Sequence, residues 1–312
     1  MDLFGIAGNP IPDGANLGTV VTADGVHIRA AWWQGRERAK GTVILMEGRA
    51  EGIEKYFETI ADLRRRGFTV ATFDWRGQGG SERRLADDRK GHVDSFAEYD
   101  RDLDAFTQQV VLPDCPPPYF ALAHSTGGLI ALRAAADGRA RYSRMVLASP
   151  LVAIGPTRPP EPVASRIAAV MTAIGLGELN APGQARETIA RMPFAGNTLT
   201  GDEPRFLRNQ QLAIQLPQVF VEGPTYGWLY ATYTATREVR APGFAPQVKV
   251  PALIVIGALD TVVSVPAVER LASELRSGSQ IVIAGARHEL LMERDTIREQ
   301  FFAAFDAFIP GS

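Results

Sequence analysis

Ser125 lies in Ala123-His124-Ser125-Thr126-Gly127-Gly128, between the apolar run Tyr119-Phe120-Ala121-Leu122 and a stretch of helix formers over 129–136. A strand that turns into a helix around x-Ser-x-Gly strains the serine backbone and lifts its hydroxyl clear of the sheet edge. The helix N-terminus behind it then offers free N–H groups to a developing negative charge. Small neighbours are a steric need at so close a crossing, and Ala123 stands where a glycine is usual. With an incidental serine the same segment is only a tight junction, so the chemistry depends on partners. A serine nucleophile needs a general base and a carboxylate to orient it. The chain has four histidines. His27 follows the hairpin signal Asp24-Gly25 and is expected on a surface strand. His92 precedes a helix, where a capping or packing role fits it. His124 adjoins the serine, so its side chain points the other way and is expected beneath the turn. His288 remains, after Ile281-Val282-Ile283 and Gly285. It sits on a loop leaving the C-terminal end of a strand, the usual place for reactive groups in an open α/β sheet. Pro251-Ala252-Leu253-Ile254-Val255-Ile256-Gly257 is a second buried strand. Asp260 follows it, as the orienting carboxylate or as the cap of a helix starting near Pro266.

These residues need a scaffold, and the chain alternates as a doubly wound sheet does. Strands are expected over 19–21, 26–33, 42–46, 68–73, 119–122 and 145–148, with helices over 54–66 and 95–111. The alternation stops after Pro150. Residues 151–246 are proline-rich and helical, and strands return at Val250 and Ile281 before a closing helix to Ile309. The expected organisation is a core in two parts, 1–150 and 247–312, with 151–246 inserted as a helical cap over the site. Within the cap, 163–176 is apolar at helical spacing. Either it packs on the core, the plainer reading, or it forms a lid that lines an acyl tunnel and touches lipid.

The 312 residues carry a net charge of −2, which gives no electrostatic reason to expect nucleic acid. Arg64-Arg65-Arg66 reads as the cationic end of a helix. The lone cysteine, Cys115, has no partner for an internal disulfide and reads as loop filler. Residues 1–20 lack a basic head followed by an apolar stretch, and no window has the apolar length of a membrane span. The expected location is cytoplasmic, with peripheral membrane contact through the cap.

The order Ser125, Asp260, His288 is that of the α/β-hydrolases. Further motifs make the chain resemble their lysophospholipase/monoacylglycerol lipase branch over most of its length. Asp74-Trp75-Arg76-Gly77-Gln78-Gly79-Gly80-Ser81 is similar to that family's loop after the fourth strand. Gly91-His92-Val93-Asp94-Ser95-Phe96, the cap segment 197–210 and Pro224-Thr225-Tyr226-Gly227-Trp228-Leu229 match others, and Tyr56 has a counterpart. Asp74 and Arg76 are expected to form an ion pair that ties their loop. Family members carry His-Gly after the third strand, whereas this chain has Glu47-Gly48. Glu47 is expected in a structural salt bridge, with Arg49 or with a residue below the loop. The resemblance implies an oxyanion hole from the backbone N–H groups of Arg49 and Thr126, indifferent to side chain. It implies hydrolysis of carboxylic esters through an acyl-Ser125 intermediate, with monoacylglycerols or lysophospholipids as substrates and no metal or organic cofactor. Short-chain esters are the alternative. A peptidase, an acyltransferase or a non-catalytic ligand-binding member of the fold stays open.

Overall fold

The structure is a computed structural model that describes residues 2–35, 39–181 and 189–310. One eight-stranded sheet organises it. Its strands are β1 (Ala15–Val21), β2 (His27–Trp33), β3 (Thr42–Met46), β4 (Thr69–Phe73), β5 (Tyr119–His124), β6 (Arg144–Ala148), β7 (Ala252–Gly257) and β8 (Gly278–Ile283). They lie in the order β1-β2-β4-β3-β5-β6-β7-β8. β1 and β2 form an antiparallel hairpin and β2 runs antiparallel to β4, while every other pairing is parallel. β1 begins earlier than its hydropathy suggests, because Ala15 to Gly18 pair with Trp33 to Ala30 on the half-exposed edge. The central strands β3, β4 and β7 are buried along their whole length, as parallel strands covered on both faces must be.

Helices pack on both faces. On one side lie α2 (Phe96–Phe106), its π-helical continuation Thr107–Val111, the short α3 (Leu112–Asp114), α4 (Thr126–Ala136) and α8 (Val265–Glu274). On the other lie α1 (Phe57–Arg65) and α9 (Asp295–Phe308), where Phe68, Phe120, Phe301 and Phe305 pack between helix and sheet. Ser95 starts α2 with a capping box: its side chain accepts from the helix and Glu98 reaches back to the Ser95 N–H. Cys115 is a buried member of the first core rather than loop filler, and burial pushes its thiol up to about 12.

Between β6 and β7 the chain forms α5 (Glu161–Ala173), α6 (Glu203–Gln215) and α7 (Tyr226–Val239). The motif residues of this region attach it through polar contacts. Asn197 accepts the Leu199 and Thr200 N–H groups, and Arg287 donates to the carbonyls of Asn197 and Thr200. The Glu289 N–H donates to Leu199 O at 2.8 Å. Arg205 and Arg208 both pair with Glu58 of α1. His92 bonds Thr225 Oγ1 at 2.8 Å. A Cβ at Gly227 would meet the His92 ring at 2.4 Å, so this docking admits only glycine.

Three expectations are corrected. Asp74 and Arg76 do not pair with each other. Asp74 binds Arg29, the Ile53 N–H and the Gly80 N–H, whereas Arg76 binds Asp24, Glu98 and Asp102. Asp74 thus ties the loop to β2 and to the segment after β3, whereas Arg76 ties it to α2 and the β1–β2 turn. Glu47 makes no salt bridge among the described residues. It is fully buried among Gln78, the Trp75 N–H and Trp75 Nε1, which binds its carbonyl. Burial, with Asp74 nearby, pushes its carboxyl well above the usual range. Finally, α5 is not a core helix: Ala168 is its one fully buried residue, and Val163, Ile167, Val170 and Ile174 are exposed.

Candidate active site

β5 and α4 meet at Ser125, whose backbone holds φ 49° and ψ −112°. A non-glycine residue stays there only when its surroundings over-determine it. Here both sides do so. A Cβ at Gly127 would stand 2.6 Å from Glu47 O and 2.7 Å from Met46 O, and one at Gly128 2.8 Å from Pro150 Cβ. The helix therefore enters against the end of β3, and the serine hydroxyl is held above the sheet.

The loops after β7 and β8 bring the other two residues to this point. Asp260 Oδ1 accepts the N–H groups of Val262 and Val263 at 2.9 and 3.1 Å, which fixes the carboxylate. It does not cap α8, whose N-cap residue is Ser264. Asp260 Oδ2 lies 2.8 Å from His288 Nδ1, and His288 Nε2 lies 3.1 Å from Ser125 Oγ. A carboxylate only accepts, so Nδ1 carries the proton and Nε2 presents its lone pair to the serine hydroxyl. Burial opposes the charge on Asp260, but the His288 hydrogen bond outweighs it and holds the carboxyl below its ordinary value. All three side chains are buried.

Opposite the elbow, the Gly48 N–H donates to Glu51 Oε2 at 2.6 Å and the Ala50 N–H to Gln78 Oε1 at 3.1 Å. Ala50 has φ 60°, which turns the loop back. Between those two engaged donors, the Arg49 N–H makes no hydrogen bond among the described residues, and neither does the Thr126 N–H at the start of α4. Two free backbone donors thus flank the serine.

Sequence reasoning missed the polar floor of the site. Lys55 Nζ sits between Glu51 Oε1 at 2.6 Å and Glu289 Oε1 at 2.7 Å, and Tyr56 donates to Glu51 Oε2 at 2.5 Å. Burial disfavours all these charges, but Lys55 and the hydrogen bonds hold Glu51 down at about 2, and the two carboxylates keep Lys55 charged. The i,i+4 spacing of Glu51 and Lys55 was the available signal. His124 lies against His288 with ring centroids 4.8 Å apart, and its Nδ1 donates to Ala148 O at 3.1 Å. Burial pushes His124 down to about 3, so it stays neutral beside the second imidazole. His27 is exposed on β2, paired with Glu82.

Ser125, His288 and the polar floor open into a cavity of about 690 Å³. Side chains from the segment between β6 and β7, among them the apolar Ile167 and Leu229, line much of it. Its size and lining suit a single acyl chain.

A family model described as serine aminopeptidase, S33, matches residues 37–295. The chain belongs to that family. Lysophospholipase L2 of Escherichia coli K12 is 34% identical over 273 residues, covering 82% of this chain and 76% of that protein. A probable lysophospholipase L2 of Haemophilus influenzae is 29% identical over 267 residues, covering 86% and 83%. A soluble variant of the Saccharomyces cerevisiae monoglyceride lipase superposes with a TM-score of 0.74 at 19% identity, covering 93% of this chain and 94% of that one. That likeness establishes the α/β-hydrolase fold. No helix among the described residues is long and apolar enough to cross a membrane.

Proposed function

We propose that this serine hydrolase cleaves the carboxylic ester of single-chain lipids, lysophospholipids or monoacylglycerols, through an acyl-Ser125 intermediate. The observation that carries the reading is the Asp260–His288–Ser125 relay opening into a largely apolar cavity. His288 Nε2 takes the Ser125 proton as Oγ attacks the ester carbonyl. Asp260 holds the tautomer and stabilises the imidazolium. The N–H groups of Arg49 and Thr126 bind the tetrahedral oxyanion, helped by the N-terminus of α4. His288 then protonates the leaving alcohol, and water repeats the sequence on the acyl-enzyme. The names of the relatives, lysophospholipase L2 and monoglyceride lipase, support this substrate class.

The cap, 151–246, encloses the acyl chain in this reading. The exposed Val163 and Val170 on α5, with Ile174 just past its end, support transient contact with a membrane surface. An aminopeptidase would need free carboxylates to hold a substrate ammonium. Here Glu51 and Glu289 are already answered by Lys55, which favours esters.

The test is acid release from monoacylglycerol, lysophosphatidylcholine and p-nitrophenyl butyrate by wild type and Ser125→Ala. Turnover of the long-chain substrates, abolished in the variant, is the expected result. Cleavage of the butyrate alone would overturn the lipid assignment in favour of a small-ester carboxylesterase. No turnover of any would overturn ester hydrolysis itself.

A further inference from the structure

Arg49 supplies more to the cavity than its backbone. Its guanidinium lies over the Trp228 ring at 4.9 Å, and Nη2 donates to the Glu222 carbonyl at 2.6 Å. Nε is sealed from solvent with no acceptor, and Nη1 makes no hydrogen bond among the described residues. No carboxylate among them pairs with this arginine, and the Glu222 carboxylate goes to Arg89 instead. Three of the chain's structural arginines contrast with it, while Arg83, also bonded only to carbonyls, does not. Arg29 is held by Glu54 and Asp74, Arg76 by Asp24, Glu98 and Asp102, and Arg205 by Glu58, Asp202 and Asp295. Carboxylates raise the pKa of those three, whereas uncompensated burial lowers Arg49 to about 10. A cation desolvated against an aromatic ring, with donors left over, is a built receptor for an anion.

We infer that the Arg49 guanidinium binds the phosphate of the substrate's headgroup, making the site selective for lysophospholipids over uncharged monoacylglycerols. The inference rests on the ester-hydrolase reading above. Arg49 and Ser125 line the same cavity, so a bound ester and a group on Arg49 belong to one ligand. The Arg49 N–H is the oxyanion donor and the guanidinium ends the side chain of the same residue. A carbonyl at the first has its headgroup within reach of the second, and a glycerol backbone is the spacer that joins ester to phosphate. Arg158, exposed at the rim, adds a second cation with no ion-pair partner among the described residues. Arginine binds phosphate through paired donors, which a lysine replaces only in charge.

The experiment compares kcat/KM for lysophosphatidylcholine and monoacylglycerol of one acyl chain in wild type, Arg49→Met and Arg49→Lys. The ratio is the readout, because the Arg49 backbone belongs to the catalytic machinery. Arg49→Met is expected to lower the ratio about ten- to a hundred-fold, chiefly through KM for the phospholipid, with Arg49→Lys between. An unchanged ratio overturns the inference. Calorimetric binding of dodecylphosphocholine and of an uncharged dodecyl glycerol ether separates this from the activity. Wild type that hydrolyses neither ester but binds the phosphocholine more tightly would sink the hydrolase reading and keep the phosphate site. Should Arg49→Met not fold, the wild-type preference and its reduction in Arg49→Lys decide, and no preference refutes the site. Inorganic phosphate is expected not to displace dodecylphosphocholine. Equal displacement would mark a site for free phosphate and overturn the headgroup assignment.

Discussion

Lys55→Met is the most discriminating perturbation of the polar floor. It removes the one cation between Glu51 and Glu289 while keeping the length of the side chain. All three groups are buried, so the surviving carboxylates have no solvent to turn to. Breaking a buried ion pair from one side costs about 3–5 kcal/mol. For a chain of this length the entropy of unfolding converts that into a fall in Tm of about 5–8 °C, by thermal melting at neutral pH. The pH dependence is more telling than the size. In the wild type the folded pKa of Lys55 is raised, so its stabilisation is present below its unfolded value and lost as pH rises through the folded pKa. Glu51 is lowered from 4.5 to about 2, so its stabilisation is present above 4.5 and lost as pH falls through about 2. Without Lys55 the buried carboxylates bind protons more tightly folded than unfolded, and the stability of the variant relative to wild type must rise on acidification. The deficit is expected to shrink by at least about half between neutral pH and pH about 4. A deficit equal at both pH values, or below about 1 kcal/mol at neutral pH, would refute the ion-pair account.

Asp260→Asn keeps the shape of the relay but disfavours the correct tautomer; kcat for a monoacylglycerol should fall about ten-thousand-fold with an unchanged melting curve, and a loss under about ten-fold would contradict the role given to Asp260. Because Asp260 is held below its ordinary 3.8, the acid limb of log kcat/KM should have a slope of one above that pH; a slope of two would show that the carboxyl titrates with the base. Gly127→Ala drives a Cβ to 2.6 Å from Glu47 O, so it should lose about 1–3 kcal/mol and most activity, and wild-type melting and rate would show the β3–α4 contact to be slack. Replacing Val170 on α5 and Ile174 just past its end with Glu should reduce retention on phospholipid vesicles while p-nitrophenyl butyrate hydrolysis persists; undiminished retention argues against membrane contact through this face.

The mostly parallel sheet was legible because buried parallel strands leave continuous apolar runs. The three residues of the relay were legible for a related reason. Ser125 and Asp260 follow such runs, and His288 follows the Ile281–Ile283 end of the exposed edge strand β8, so chain position places each at the sheet's C-terminal edge, and the structure brings all three within hydrogen-bond reach. The helix over 163–176 was read less well. Its apolar positions suggested core packing, yet hydropathy records what a face prefers and not whether the fold supplies a partner for it.

Charged side chains were the least legible, and the reason is physical. Asp74 lies two residues from Arg76, but its partner is Arg29, forty-five positions away, and that pairing exists only because β2 runs beside β4. Glu47 seemed to need a cation, but burial disfavours its charge and Gln78 satisfies one of its oxygens. Glu51 and Lys55 are neighbours on one turn, yet their partner Glu289 arrives from the other end of the chain on the loop that carries His288. A sequence shows which residues can ionise; the fold decides which do and against whom. Arg49 follows from that logic in reverse. Where the fold gathers ionisable groups around Arg29, Arg76 and Arg205 it answers each with carboxylates, whereas Arg49, in the cavity lining, has none among the described residues and is complementary to a charge that comes from outside the chain.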